Sequence, residues 1–260
     1  MTLFRQFFAS HLKALLVWVA VIVLTALSGT RSADAFINTG MWQSFPKSMM
    51  AMYGGDLGSL SPVDLYLTVL IGKATPLIPT MYAILLALSI ITREVDRRTV
   101  EFLLALPVQR AQVLLSRLAV MTLNVSLMLL AYWAVLRFDM GSQGFEGSWG
   151  HMGMTIFNLW LLSMAMGAVT LAASMWIDDY SLGVKLFLGI VILAFVMGMA
   201  MRAAGVSRAL QLITPFSLMD IGGVMQSGVI AAGNWITLVV AIAGGVAVSF
   251  WALNRKQFSA

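Results

Sequence analysis

Long apolar runs separated by short polar connections constrain this chain more than any other feature of its sequence. A helix needs about 20 residues to cross a hydrocarbon core of about 30 Å. Six runs meet or approach that length, and they lie at 12–29, 66–91, 111–136, 153–176, 183–201 and 233–253. The mean hydropathy of +0.90 is too high for a water-facing domain, and continuous runs favour helices over a β-barrel. The sequence therefore predicts an all-α, polytopic membrane protein, with one transmembrane domain over residues 1–260.

Three segments outside these runs have helical patterns of their own. Residues 1–11 place their phenylalanines on one face, which predicts a short interfacial helix before the first span. The outer loop 30–65 contains an amphipathic stretch that ends at Gly54. Residues 202–232 are apolar but interrupted by Pro215 and several glycines, which favours an outer re-entrant or surface helix before the last span.

Basic residues set the predicted orientation. Ten of the 16 Lys and Arg residues lie on the side that holds both termini, so we expect cytoplasmic termini. The excess of +5 reflects this bias, and we expect no nucleic-acid partner.

With no cysteine, the chain has no disulfide or thiolate chemistry. Its 19 methionines raise the idea of a soft-metal path, but flexible packing explains them better, and we expect no metal site.

The segment ITREVDRRTVEFLLALPVQR at 91–110 is the exception in this apolar chain. Six of the ten residues from Thr92 to Glu101 are charged, and burying six charges in lipid would cost on the order of 15–20 kcal/mol. It is therefore an inner connection between the second and third spans. Acid–base pairs at helical i,i+4 spacing and a following leucine patch predict an amphipathic helix that docks on a soluble partner. An ordinary helical inner loop, with no special task, remains the alternative.

This segment resembles the cytoplasmic coupling segment of ATP-binding-cassette (ABC) type-2 membrane permeases. Its acidic residue, threonine, leucine-rich stretch and Pro-x-x-Arg ending match at Glu94, Thr99, Glu101, Leu103, Leu104, Leu106, Pro107 and Arg110, with Arg98 where the family has glycine. The stretches LITPFSLMDIGGVM at 212–225 and ALNRKQF at 252–258 are similar to the Pro-Phe segment and the basic tail of that family. The outer-loop stretch SFPKSMMAMYG looks like the bacterial subset linked to antibiotic and amphiphile export.

The resemblance implies a transport subunit without its own ATPase site, and the chain has no phosphate-binding G-x-x-x-x-G-K-[ST] loop. A cytoplasmic ABC ATPase dimer would bind ATP and Mg, so no cofactor is expected in this chain. A second permease copy or a sibling permease would complete the path across a bacterial cytoplasmic membrane. The residues implied to contact the ATPase are Glu94, Arg97, Arg98, Thr99, Glu101, Leu103, Leu104, Leu106, Pro107 and Arg110.

A lysine and two prolines mark the second span. Lys73 is costly within a membrane, and Pro76 and Pro79 either kink the helix or open a gate, so the three are a possible translocation path. The alternative for Lys73 is snorkelling, or pairing with Asp64 or Asp220.

We expect an exporter of a lipophilic or amphipathic substrate. A secondary transporter or channel is the runner-up, although all 11 acids lie at span ends or in loops, and a non-transporting membrane scaffold is the third hypothesis.

Overall fold

The computed structural model describes residues 2–40, 44, 46, 50–54, 57–73, 75–90, 110–211 and 213–255, with the backbone alone described at 2, 3, 110, 208 and 209. These residues form helices and turns, with no strand among them. In chain order the helices are α1 (Thr2–Thr30), α2 (Ala33–Asn38), α3 (Pro62–Gly72), α4 (Leu77–Ile90), α5 (Arg110–Ser142), α6 (Trp149–Ser174), α7 (Tyr180–Ala203), α8 (Arg208–Gln211), α9 (Ile221–Ser227) and α10 (Ala232–Arg255). The predicted all-α class is confirmed.

Six spans are also confirmed within the described residues. They are long and apolar enough to cross a membrane, and they correspond to α1, the α3–α4 pair, α5, α6, α7 and α10. The second and fourth spans form the centre of the bundle, with 71% and 72% of their most apolar residues buried by the rest of the chain. The first and fifth spans, at 17% each, lie at its periphery and present apolar side chains outward.

The N-terminal residues do not form the separate interfacial helix that their pattern predicts. They belong to α1, which runs without interruption from Thr2 to Thr30. No proline occurs in this stretch, and its first glycine is Gly29, so nothing in the sequence breaks the helix. At 1.5 Å per residue α1 is about 43 Å long, which exceeds a hydrocarbon core of about 30 Å.

The segment before the last span is also more broken than a single re-entrant or surface helix. It contains the four-residue α8, a 3₁₀ turn at Pro215–Leu218 and the seven-residue α9. Asp220 caps the start of α9, and Gly228 ends it with a φ of 70°, a left-handed conformation that glycine adopts without strain. How this segment meets the bilayer stays a prediction.

Contacts between helices define the two ends of the bundle. Arg117 near the start of α5 lies over the ring of Phe7 near the start of α1, so these helices begin at the same end. We call it the terminal end, because α1 begins and α10 finishes there, and we call the other the distal end. Helices α6 and α10 run in parallel towards the terminal end. Asn158 and Asn234, which lie in the first half of α6 and of α10, both donate to the carbonyl oxygen of Leu218.

Candidate coupling and translocation site

The predicted coupling segment is described at its two boundaries. Ile90 ends α4 and Arg110 begins α5. The other predicted coupling residues lie outside the described residues, and these are Glu94, Arg97, Arg98, Thr99, Glu101, Leu103, Leu104, Leu106 and Pro107. The structure therefore shows what holds the two helices that flank the segment.

A cluster of polar and aromatic side chains joins three helices at the terminal end. His11 of α1 lies with Nε2 3.2 Å from the hydroxyl of Ser89, which is the penultimate residue of α4. The rings of Phe7 and His11 are 4.4 Å apart, and the guanidinium of Arg117 lies 4.7 Å from the centre of the Phe7 ring. We call Phe7, His11, Ser89 and Arg117 the terminal cluster. It links α1 to both helices that flank residues 91–109.

Burial of Arg117 makes this cluster more than a surface feature. Its relative exposure is 6%, although an arginine keeps its charge at any physiological pH. The Phe7 ring gives the guanidinium an electron-rich face, which offsets part of the cost of desolvation. In the sequence, Arg117 is only one of the ten basic residues on the predicted inner side. No sequence signal distinguished it from the exposed arginines.

The second span is interrupted where Lys73, Pro76 and Pro79 lie. Helix α3 ends at Gly72, and α4 begins at Leu77. The helix of the second span is therefore interrupted here and not only kinked. Lys73 is exposed, whereas the two prolines are buried. Pro79 is tolerated because it lies in the first turn of α4, where backbone N–H groups have no partner within the helix.

Side-chain hydroxyl groups compensate for the missing helical hydrogen bonds at this break. Thr75 is fully buried, its Oγ1 donates to the carbonyl oxygen of Leu70 at 3.3 Å, and it lies 3.3 Å from the hydroxyl of Tyr132 on α5. Thr80 donates to the carbonyl oxygen of Pro76 at 2.7 Å and lies 3.4 Å from Ser163 on α6. The break is thus fixed to α5 and α6 beside it, as expected of irregular backbone in a membrane-spanning segment.

The carboxylates proposed as alternative partners of Lys73 make other interactions. Asp64 is buried, and it accepts hydrogen bonds from the backbone N–H of Ser148 at 2.7 Å and from the hydroxyls of Ser148 and Ser61. Asp220 accepts from the backbone N–H of Gly223 at 3.1 Å and caps α9. These contacts stabilise the distal end, and they favour the outward position of Lys73 over a pair with either acid.

Tyr53 and Gly222 form a small platform against Gly72, the last residue of α3 before the break. The carbonyl oxygen of Tyr53 accepts from the N–H of Gly222 at 3.0 Å, which ties the long loop to α9. The ring of Tyr53 packs so closely on Gly72 that a Cβ there would lie 2.3 Å from it. Burial in this platform raises the pKa of Tyr53 above 10.0. Gly72 adjoins Lys73, so this platform rests directly on the interrupted span.

Within the described residues, no group of three or more His, Cys, Asp or Glu side chains could hold a metal ion. Asp179 has a structural role, because it accepts from the N–H of Leu182 at 3.0 Å and caps α7.

Comparison with known proteins agrees with this architecture. The family model described as ABC-2 family transporter protein matches residues 8–258, which is nearly the whole chain. Comparison with curated proteins gives no match.

Proposed function

This chain belongs to the ABC-2 family of transporter proteins, and from that premise we propose that it is the permease subunit of an ATP-driven exporter. A separate cytoplasmic ATPase dimer binds ATP and Mg, and a second permease copy or a sibling permease completes the path. The terminal end faces the cytosol of a bacterium, and residues 92–110 contact the ATPase there. The cargo is lipophilic or amphipathic, as in the antibiotic and amphiphile exporters that the outer loop resembles.

The observation that carries this proposal is the position of α4 between the coupling segment and the break. The helix has 14 residues and is about 21 Å long. At the terminal end, α4 leads into residues 91–109. At its other end, α4 starts at Leu77, just after Lys73 and Pro76. A hydrogen-bonded helix transmits displacement along its axis. Movement of the coupling segment therefore reaches the interrupted part of the second span.

The terminal cluster extends this movement to other helices. Ser89 couples α4 to α1 through His11, and Arg117 couples α5 to α1 through Phe7. When the ATPase pair closes on ATP and displaces residues 92–110, α1, α4 and α5 move together at the terminal end. The break around Pro76 and Pro79 absorbs the change in angle, because few of its backbone groups are tied into a helix. Lys73 presents a cation at this gate.

Removal of the charges of the coupling segment tests the proposal. We expect the triple variant Glu94→Ala/Arg97→Ala/Arg98→Ala to lose co-purification with the ATPase and to stop export of a fluorescent amphiphile from cells. The matched control removes one acidic and two basic residues at the distal end, and it changes Arg31, Arg137 and Glu146 to alanine.

The control variant keeps both activities if the segment has the proposed role. Unchanged ATPase binding and export in the coupling variant, at equal membrane abundance, would refute the proposal. Export that persists when the ATPase is deleted would instead favour a secondary transporter.

A further inference from the structure

A cavity of about 370 Å³ opens at the terminal end between the turn that follows α6 and the last residues of α10. Its lining consists of Met175, Trp176, Asp178, Trp251, Ala252 and Arg255. Met175 and Ala252 are buried and form an apolar floor, whereas Trp176 and Trp251 are 62% and 51% exposed. The cavity thus combines an apolar base with an accessible aromatic rim, and none of its lining residues belongs to the predicted coupling or translocation residues.

Opposite charges stand at the mouth of this cavity. The guanidinium of Arg255 lies 4.5 Å from the centre of the Trp251 ring, which holds the cation over the indole face. Asp178 supplies a carboxylate from the turn that follows α6. A ligand that carries both a phosphate and an ammonium group would match the two charges. Tryptophan and arginine at the end of a span also indicate the level of the lipid headgroups.

An apolar track leads from the cavity along α10. Val240, Gly244, Val248 and Trp251 follow helical spacing on one face, and all four are exposed. A Cβ at Gly244 would meet nothing within 4 Å, so the track is open at its middle. It is about 16 Å long from Val240 to Trp251, enough for most of one acyl chain.

We propose that this cavity binds the headgroup of phosphatidylethanolamine from the leaflet at the terminal end, with an acyl chain along the α10 track. Arg255 donates charge-assisted hydrogen bonds to the phosphate, and Asp178 accepts them from the primary ammonium. A choline headgroup has no N–H to donate to Asp178. Phosphatidylglycerol brings a phosphate without a cation, so Asp178 repels it.

The test uses the full chain, delipidated in detergent and titrated with phospholipids that carry brominated acyl chains. Bromine quenches tryptophan fluorescence on contact, and the double variant Trp176→Phe/Trp251→Phe gives the background from the other six of the eight tryptophans. We expect saturable quenching by phosphatidylethanolamine at lower concentration than by phosphatidylcholine or phosphatidylglycerol. Arg255→Gln should weaken all three lipids about tenfold, since each carries a phosphate.

Substitution of Asp178 separates recognition of the lipid headgroup from non-specific binding of lipid. Asp178→Asn should weaken phosphatidylethanolamine, leave phosphatidylcholine unchanged and strengthen phosphatidylglycerol. The matched control is Arg137→Gln, which removes a similar cation, 4.6 Å from the ring centre of Trp149 at the distal end, and should titrate as wild type. Equal quenching by the three lipids, or no saturable component beyond the background, would overturn the proposal. So would an effect of Arg255→Gln on dimer formation alone, which would mean that a second copy covers the cavity.

Discussion

Two adjacent glycines of α10 offer a stringent test of how the spans pack. Gly245 lies against α6, where an added Cβ would be 2.6 Å from the carbonyl carbon and 2.7 Å from the oxygen of Ala168. Gly244 is its neighbour in the chain, and a Cβ there would meet no atom within 4 Å. The same substitution, one residue apart, therefore either forces two backbones apart or adds a methyl group to open space.

The magnitude follows from these distances. An ordinary contact begins near 3.4 Å, so Gly245→Ala must move α10 away from Ala168 by about 0.8 Å, the difference between 3.4 Å and 2.6 Å. Overpacking of this kind costs about 1–3 kcal/mol, and the carbonyl cannot rotate away as a flexible side chain would. Replacing a helical glycine by alanine gains roughly 0.5–1 kcal/mol at either position. We therefore expect Gly245→Ala to be less stable than Gly244→Ala by about 1–3 kcal/mol.

Unfolding in mixed micelles of mild detergent and sodium dodecyl sulfate measures this difference directly. Helical signal and tryptophan fluorescence would be followed for wild type, Gly244→Ala and Gly245→Ala at one protein concentration. Because the helix-propensity term is common to both variants, their difference isolates the contact with Ala168. Equal stability of the two variants would refute the close approach of α6 and α10.

Two further predictions concern the ends of the bundle. Asp64→Ala leaves the N–H of Ser148 without its acceptor and should destabilise the protein by about 1–3 kcal/mol in the same unfolding assay, whereas Glu146→Ala, at an exposed position, should change stability by less than about 0.5 kcal/mol. Equal effects would contradict the role of Asp64. Arg117→Gln should reduce export several-fold while ATPase co-purification is retained, because it removes the contact between α5 and Phe7 and leaves the amino-acid sequence of residues 92–109 unchanged. Loss of ATPase binding in this variant would mean that Arg117 acts at the docking surface instead of in transmission.

The interrupted second span connects several of these observations. Its distal half, α3, is covered by the platform around Tyr53, and its other half, α4, leads to the coupling segment. Thr75 and Thr80 hold the break against α5 and α6. An interrupted helix held by side-chain hydroxyl groups rearranges more easily than a continuous helix. The reason is that single hydrogen bonds contribute only about 0.5–1.5 kcal/mol each. This is the property that a gate requires.

Much of the architecture was determined by local composition. The six spans follow from transfer free energies that add along the chain and need no knowledge of neighbours. The same free energies predict that residues 92–101 lie outside the lipid. Pro76 and Pro79 marked the place where the second span breaks, since a proline in the interior of a helix removes a backbone hydrogen bond. The family resemblance also came from contiguous residues, and the family model confirms it.

Other features were decided only by the tertiary structure. Gly244 and Gly245 are the same residue in the same helix, yet one faces open space and the other the backbone of α6. Asp64 meets Ser148, and His11 meets Ser89, across long separations in sequence. Such contacts depend on how each helix is rotated about its axis and how deeply it sits beside its neighbours. Those variables are set by packing of all the spans together, and no local pattern in the sequence records them.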